Sequence, residues 1–139
     1  VCISILNTWR GPGWTSCMSI RTVLITLTTL FHNKPLLNEP GVTEKHPSFK
    51  PYNEIIKYRN LETAIYKVMN QSILPPGFKT LWPLIKQHFK RNKKNIIDYI
   101  KNLSKSHETK TYKASMYGMT CTVDYDFIMK KIKDEYKNL

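Results

Sequence analysis

At 139 residues and 16.3 kDa, the chain has the size of one domain, and 41% hydrophobic with 12% aromatic residues is a folding composition rather than a disordered one. Twenty-two Lys and Arg against ten Asp and Glu leave a net charge of +12 and a pI of about 9.7, which favours acidic partners: nucleic acid, anionic lipid or an acidic protein surface. No run approaches the roughly 18 apolar residues of a membrane helix and no signal-peptide pattern precedes the first charges, while Cys2, Cys17 and Cys121 form no CxxC pair, so a soluble, intracellular protein without a disulfide framework or structural zinc is expected. The chain opens at Val1, without methionine, inside an apolar run, and so reads as a cut through a domain.

Along the chain, Val1 to Leu6 is a short apolar segment, and Thr8 to Trp14 is a Gly/Pro turn flanked by Trp9 and Trp14, both expected to pack. From Ser16 the spacing is helical. Ile20, Val23, Leu24, Leu27, Leu30 and Phe31 fall on one stripe, Ser16 or Ser19 offers an N-cap, and Asn33-Lys34-Pro35 stops the helix. The opposite face carries Thr22, Thr26 and Thr29, an uncharged polar surface. Pro35 to Pro51 reads as irregular loop, since each X-Pro step disfavours helix. Residues 52–69 are predicted helical on Ile55, Tyr58, Leu61, Ile65, Val68 and Met69, and Pro75-Pro76-Gly77 is the best internal boundary. Beyond it, Thr80 can cap a helix with Pro83 in its first turn. Leu81, Leu84, Ile85, His88 and Phe89 give its apolar face, and Ile96, Ile97, Ile100 and Leu103 continue or restart it after the basic run Lys90 to Lys94. Residues 104–122 look polar and irregular. Asp124 then caps a last amphipathic helix on Tyr125, Ile128, Met129, Ile132, Tyr136 and Leu139.

The charge is uneven. Residues 1–33 sum to +2, residues 34–74 to +2 and residues 75–139 to +8, so the basicity belongs mostly to the C-terminal half. No HExxH, Walker-type loop, GxSxG or paired carboxylate setting occurs, which excludes the common hydrolase and nucleotide-binding motifs. A cysteine in an apolar run is ordinarily a buried small hydrophobe; its surroundings change that reading for Cys2.

The series Val1-Cys2-Ile3-Ser4-Ile5-Leu6, Thr8-Trp9, Gly11-Pro12-Gly13-Trp14 and Ser19-Ile20-Arg21-Thr22-Val23-Leu24 closely resembles the active-site segment of ubiquitin-conjugating enzymes. There, a catalytic Cys is followed by an aliphatic run, a Trp-containing loop and a helix with an Ile-x-x-Val-Leu start. Asn38-Glu39-Pro40-Gly41, His46-Pro47, Tyr52-Asn53-Glu54 and Ile56 are similar to the larger Z-type conjugating enzymes and their relatives fused to inhibitor-of-apoptosis modules. A weaker match runs from Phe78 to Leu103, where Z-type enzymes carry a helical extension.

The resemblance implies an α+β UBC-like fold in the parent protein, of which this chain holds a mainly α part. Residues 1–74 would be the C-terminal part of the conjugating core and residues 75–139 a basic helical extension. It implies that Cys2 accepts ubiquitin or a ubiquitin-like modifier as a thioester from the activating enzyme and passes it to a substrate lysine. Sulfur suits the task because the thiolate is a strong nucleophile and its thioester stays reactive to amines. Arg21 and Thr22 would lie on the helix face that holds donor ubiquitin. Glu39 would be a gate carboxylate that orients or deprotonates the incoming amine, with Asn38 as its polar neighbour; as a plain reading of residues, both are equally turn-formers. The implied partners are ubiquitin or a related modifier, the activating enzyme, a ubiquitin ligase and a lysine-bearing substrate. No metal and no cofactor of the chain's own is implied, since ATP is used by the activating enzyme, and the expected location is the cytoplasm, with the nucleus second.

One departure is large. The family's His-Pro-Asn motif, whose Asn steadies the oxyanion, and its upstream meander and first helix do not occur in residues 1–139, and His46-Pro47-Ser48 lacks the Asn. Loss of an oxyanion donor typically removes several kcal/mol of transition-state stabilisation, so the chain alone is expected to be inactive, with the helices of residues 16–33 and 52–69 short of a packing surface. Two rival readings are a catalytically incompetent conjugating-enzyme-like scaffold and a nucleic-acid-binding module built on residues 75–139. Cys17 and Cys121 are read as structural.

Overall fold

The computed structural model describes residues 3–139. Asp124 caps the last helix, α4 (Tyr125–Asn138), by accepting the Phe127 N–H at 2.8 Å, and its i, i+3/i+4 stripe of Tyr125, Ile128, Ile132 and Tyr136 is buried. The stripe lies against α3 (Trp82–Ser106). α3 is one uninterrupted 25-residue helix through the Lys90 to Lys94 run, so the helix continues there and does not restart. Its buried residues are Phe89 and Ile100, whereas Leu81, Leu84 and His88, expected on the apolar face, are exposed. The two helices are locked by Tyr136, whose hydroxyl donates to the Phe89 carbonyl at 3.2 Å, and by Ser104, which donates to Asp126 at 2.6 Å.

The segment expected to be irregular between residues 104 and 122 is instead the end of α3 and a hairpin, and this corrects the reading from sequence. Strand β1 (Lys110–Ala114) pairs antiparallel with β2 (Met119–Val123), Tyr112 opposite Cys121 and Ala114 opposite Met119. The period of two is visible in hindsight. Ala114, Cys121 and Val123 are buried while Thr111, Lys113, Thr120 and Thr122 are exposed, and Thr111 and Thr122 hydrogen bond across the strands at 2.8 Å. The turn between the strands places Tyr117 and Gly118 at positive φ, 66° and 56°; glycine adopts this freely, whereas Tyr117 does so only at an energetic cost. Described residues 3–139 are thus mainly helical with a two-stranded sheet.

Helix α2 (Phe49–Asn60) starts earlier than predicted, with Pro51 inside its first turn, where no intrahelical N–H is required. It widens to i→i+5 bonding over Leu61–Lys67. It packs on both strands, so the expectation that residues 52–69 lack a packing surface does not hold: the hairpin supplies one. Ser48, buried at the head of α2, bonds Ser115 Oγ at 3.0 Å and accepts the Met116 N–H at 3.2 Å, and Tyr52 meets Tyr117 with ring centroids 5.8 Å apart. Ile55, Tyr58, Leu61, Met69, Phe89, Ile100, Ile128 and Ile132 share one core with the inward faces of the strands; that core draws on residues from both sides of Pro75.

Helix α1 (Ile20–Thr29) behaves differently. Its start is as expected, with Ser19 and Thr22 forming a reciprocal capping box. Its expected apolar stripe is only partly covered: Ile20 is 71%, Leu24 56% and Phe31 80% exposed, whereas Val23 is buried and Leu27 and Leu30 are half-buried. On the threonine face Thr22 and Thr26 are half-buried as well, and Thr26, Thr28 and Thr29 donate back to carbonyls of the preceding turn at 2.9, 2.6 and 2.7 Å. Trp9 and Trp14, expected to pack, are likewise exposed. Apolar periodicity reports which face a helix offers, and among the described residues the α1 offer is taken up only in part, at Val23, Leu27 and Leu30.

Candidate functional site

Cys2, the expected nucleophile, lies outside the described residues. The backbone that follows it is tightly held. Ile3 is buried; its N–H donates to Thr8 Oγ1 at 2.9 Å, and the Thr8 hydroxyl donates back to the Ile3 carbonyl at 3.1 Å. A 3-10 turn over Ser4–Leu6 ends at Asn7 in the left-handed region, φ 56°, which Asn tolerates better than most residues. The Gly11-Pro12-Gly13 loop folds back on this turn. A Cβ on Gly11 (φ +141°) would stand 3.0 Å from Ser4 Cβ in a backbone conformation that L side chains rarely adopt, so Gly11 requires glycine, while one on Gly13 would stand 2.8 Å from Asn7 Oδ1 and displace that side chain.

Asn38 and Glu39 close the 3-10 turn Pro35–Asn38. That turn is fixed from below: Leu36 is fully buried, and its N–H donates to Asn53 Oδ1 on α2 at 3.2 Å. It is fixed from the side by Asn38, whose amide donates to the Leu30 carbonyl at the end of α1 at 3.0 Å, while its Oδ1 lies 3.0 Å from His32 Nε2. Because Oδ1 only accepts and His32 Nδ1 accepts the Lys34 N–H at 3.2 Å, the imidazole carries its proton on Nε2. Glu39 donates its N–H to the Leu36 carbonyl at 3.1 Å and accepts from Val42 at 3.2 Å. Its side chain is half-buried and faces Tyr52: burial first, and the Glu39 charge second, push the Tyr52 phenol up. The arrangement holds a carboxylate on a rigid turn between α1 and α2.

Arg21 and Thr22 are not part of that cluster. They sit at the opposite end of α1 from Leu30, roughly 12 Å along its axis at about 1.5 Å per residue. Arg21 is exposed, and Thr22 Oγ1 accepts the Ser19 N–H at 3.3 Å within the capping box. Asn53, to which no role is assigned from sequence, is the residue that bolts the Asn38–Glu39 turn to α2. Its signal was present, since a polar residue on the buried side of a helix needs a partner.

A second polar cluster, not foreseen, joins α2 to the end of α3. Glu54 accepts from Lys57 at 2.8 Å and faces His107 at 3.5 Å, and the His107 ring meets Tyr125 edge-on at 5.5 Å. Burial, then the Glu54 charge, drives the Tyr125 phenol far up. Cys121 is buried beneath Arg59 and Glu62, which are paired with each other, and burial pushes its thiol up, the opposite of an activated nucleophile. Cys17 is exposed and bonds Thr15 Oγ1 at 3.1 Å. Among the described residues no group of His, Cys, Asp and Glu could hold a metal ion, and no helix is long and apolar enough to cross a membrane.

No family model matches the chain. The curated proteins to which it is similar are ubiquitin-conjugating enzymes, the class whose active-site segment the residue pattern resembles. In particular, it is 37% identical over 91 residues to ubiquitin-conjugating enzyme E2 Z of Danio rerio, covering 64% of this chain and 27% of that protein. It is 44% identical over 71 residues to ubiquitin-conjugating enzyme E2 Z of Homo sapiens, covering 50% of this chain and 20% of that protein. Probable ubiquitin-conjugating enzyme E2 23 of Arabidopsis thaliana is 36% identical over 102 residues, 66% of this chain and 9% of its own length. The chain therefore spans about a quarter or less of the length of these relatives.

Proposed function

We propose that this chain carries the catalytic-cysteine segment of a ubiquitin-conjugating enzyme with an α+β UBC-like parent fold, residues 1–74 belonging to the conjugating core and residues 75–139 to a basic helical extension. The observation that carries the reading is the similarity to E2 Z proteins at 37% and 44% identity, together with the ordered series from Cys2 to Leu24. The Cys2 thiolate attacks the carbonyl carbon of ubiquitin's C-terminal glycine, held as a thioester on the activating enzyme; the new C–S bond forms as the old one breaks, and the activating enzyme's cysteine leaves as thiolate. A substrate lysine amine then attacks the same carbon, an amide forms, and the Cys2 thiolate leaves.

Each neighbouring element has a task in this scheme. The Thr8 clamp on Ile3 fixes the backbone that follows the nucleophile in sequence. Glu39, on a turn pinned by Leu36 and Asn38, receives the proton of the incoming amine and raises the neutral fraction of it near the thioester. Arg21 and Thr22 contact the donor modifier. The chain by itself forms no thioester, because residues 1–139 contain no His-Pro-Asn tripeptide to supply the oxyanion donor.

The test uses a chimera in which residues 1–139 replace the aligned segment of human E2 Z. After charging with ubiquitin, single-turnover discharge onto free lysine is followed at pH 7 and pH 9. Glu39→Gln slows discharge at least tenfold at pH 7 and less at pH 9, where the amine is more often neutral already. An equal loss at both pH values removes Glu39 from proton transfer, and no discharge in the unsubstituted chimera removes the transfer reading altogether.

A further inference from the structure

Helix α3 presents a lysine ridge that nothing in the conjugation scheme uses. At about 100° per residue, Lys90, Lys94, Lys101 and Lys105 share one exposed stripe turned from the Phe89 and Ile100 face that enters the core, with the half-buried Lys86 at its core-side edge. The stripe is roughly 28 Å long, nineteen residues at about 1.5 Å each. Among the described residues, Lys86, Lys90, Lys94 and Lys105 make no ion pair, and Lys101 has only a loose one with Asp98 at 3.8 Å, both side chains about half exposed. Lys93, by contrast, is turned into the seam with α4 and lies 5.2 Å over the Tyr136 ring. Asp98 and, beside Ser104, Asp126 lie by its C-terminal half; from Trp82 to Asn95 α3 itself has no acid.

Like charges at i, i+4 weaken a helix. Folding therefore gains nothing from the spacing of Lys86, Lys90 and Lys94, and a ligand that neutralises them relieves the repulsion. We infer that this ridge docks an acidic, Asp/Glu-rich polypeptide segment of a partner protein. Two observations favour a polypeptide over nucleic acid. The ridge is lysine, with the exposed Arg91 the one guanidinium on α3 and set at its edge, and it lacks the aromatic rings that stack on bases. It is also straight over roughly 28 Å, whereas a duplex backbone curves away within a fraction of a turn, and only a flexible chain can place a carboxylate at every lysine. The inference stands independently of the thioester reading.

The test measures fluorescence anisotropy of a labelled ten-residue oligoglutamate and of a labelled 20-base-pair mixed-sequence duplex with the 139-residue chain at 150 mM NaCl. Lys90→Glu/Lys94→Glu/Lys101→Glu is compared with Lys79→Glu/Lys113→Glu/Lys133→Glu, which makes the same charge change at exposed positions off the ridge. Oligoglutamate binding is expected to fall at least tenfold in the ridge variant and less than threefold in the off-ridge variant, while the duplex responds equally to both. Equal loss of oligoglutamate binding in the two variants, or no binding by the unsubstituted chain, overturns the ridge; a selective loss of duplex binding in the ridge variant makes it a nucleic-acid face instead. Far-UV circular dichroism checks folding, and the corresponding Lys→Gln variants serve in place of any reversal that unfolds.

Discussion

Asn53→Ala tests how the Glu39 turn is held. In the native structure the buried Asn53 Oδ1 accepts the Leu36 N–H at 3.2 Å. Alanine leaves that amide, at a residue with no exposed surface, without its acceptor, and an unsatisfied buried donor typically costs about 1–3 kcal/mol. Since 1.4 kcal/mol is a factor of ten, undocking of the turn becomes roughly 5- to 150-fold more frequent. The Glu39 amide reports this cleanly because its own partner, the Leu36 carbonyl at 3.1 Å, is untouched by the substitution. Native-state hydrogen exchange of Glu39 should accelerate by that factor, with core amides such as those of Ile132 and Val123 changing much less. Asn53→Asp keeps an acceptor and should retain most of the protection. Unchanged Glu39 exchange in Asn53→Ala would show that Leu36 packing alone holds the turn and that the α2 link is incidental.

Further outcomes follow from the same structure. Ile132→Ala, at a fully buried site between α4 and the core, should lose about 2–5 kcal/mol in urea unfolding, whereas Leu24→Ala or Phe31→Ala on the exposed side of α1 should stay within about 0.5 kcal/mol; equal losses would contradict the exposure of α1. Tyr125→Phe removes a buried hydroxyl that has no hydrogen-bond partner among the described residues, so stability should be unchanged or rise by up to about 1 kcal/mol, and a loss above that would contradict this environment. Burial opposes ionisation of Glu62, but Arg59's hydrogen bond and charge, with Lys67 and Lys131, hold its carboxyl below the ordinary range. A depressed carboxyl contributes stability above its unfolded pKa and loses it as pH falls through the folded one, so acid unfolding below about pH 4.5 should be less steep in Glu62→Gln than in the unsubstituted chain.

Much of the helical framework was legible because its signals are local. The Asp124 cap, the α4 stripe and an N-cap for α1 at Ser16 or Ser19 each lie within a few residues of sequence; the first two formed as read, and the third formed at Ser19. The hairpin was missed because Lys110 to Ala114 and Met119 to Val123 are short and rich in Lys and Thr, so outward polar positions masked the alternation of Ala114, Cys121 and Val123. The inward turning of Ser48 and Asn53 was equally hidden, since their partners, Ser115 and Leu36, are 67 and 17 residues away. At α1 the periodicity was correct and the burial only partly so: an apolar stripe states a need, and only tertiary context decides whether it is met. For the site, the chemistry was readable in the types and order of residues from Cys2 onward, but the joint that carries Glu39 depends on contacts among α1, the Pro35–Asn38 turn and α2 that no single stretch encodes.

The most direct measurement of the central claim is charging of the human E2 Z chimera carrying residues 1–139, with ubiquitin, activating enzyme and ATP, read by intact mass spectrometry and peptide mapping. The account predicts one ubiquitin on Cys2, released by dithiothreitol, and, in Cys2→Ser, an ester in its place that resists dithiothreitol. A chimera that folds and binds the activating enzyme but forms no thiol-sensitive adduct at Cys2 would contradict it.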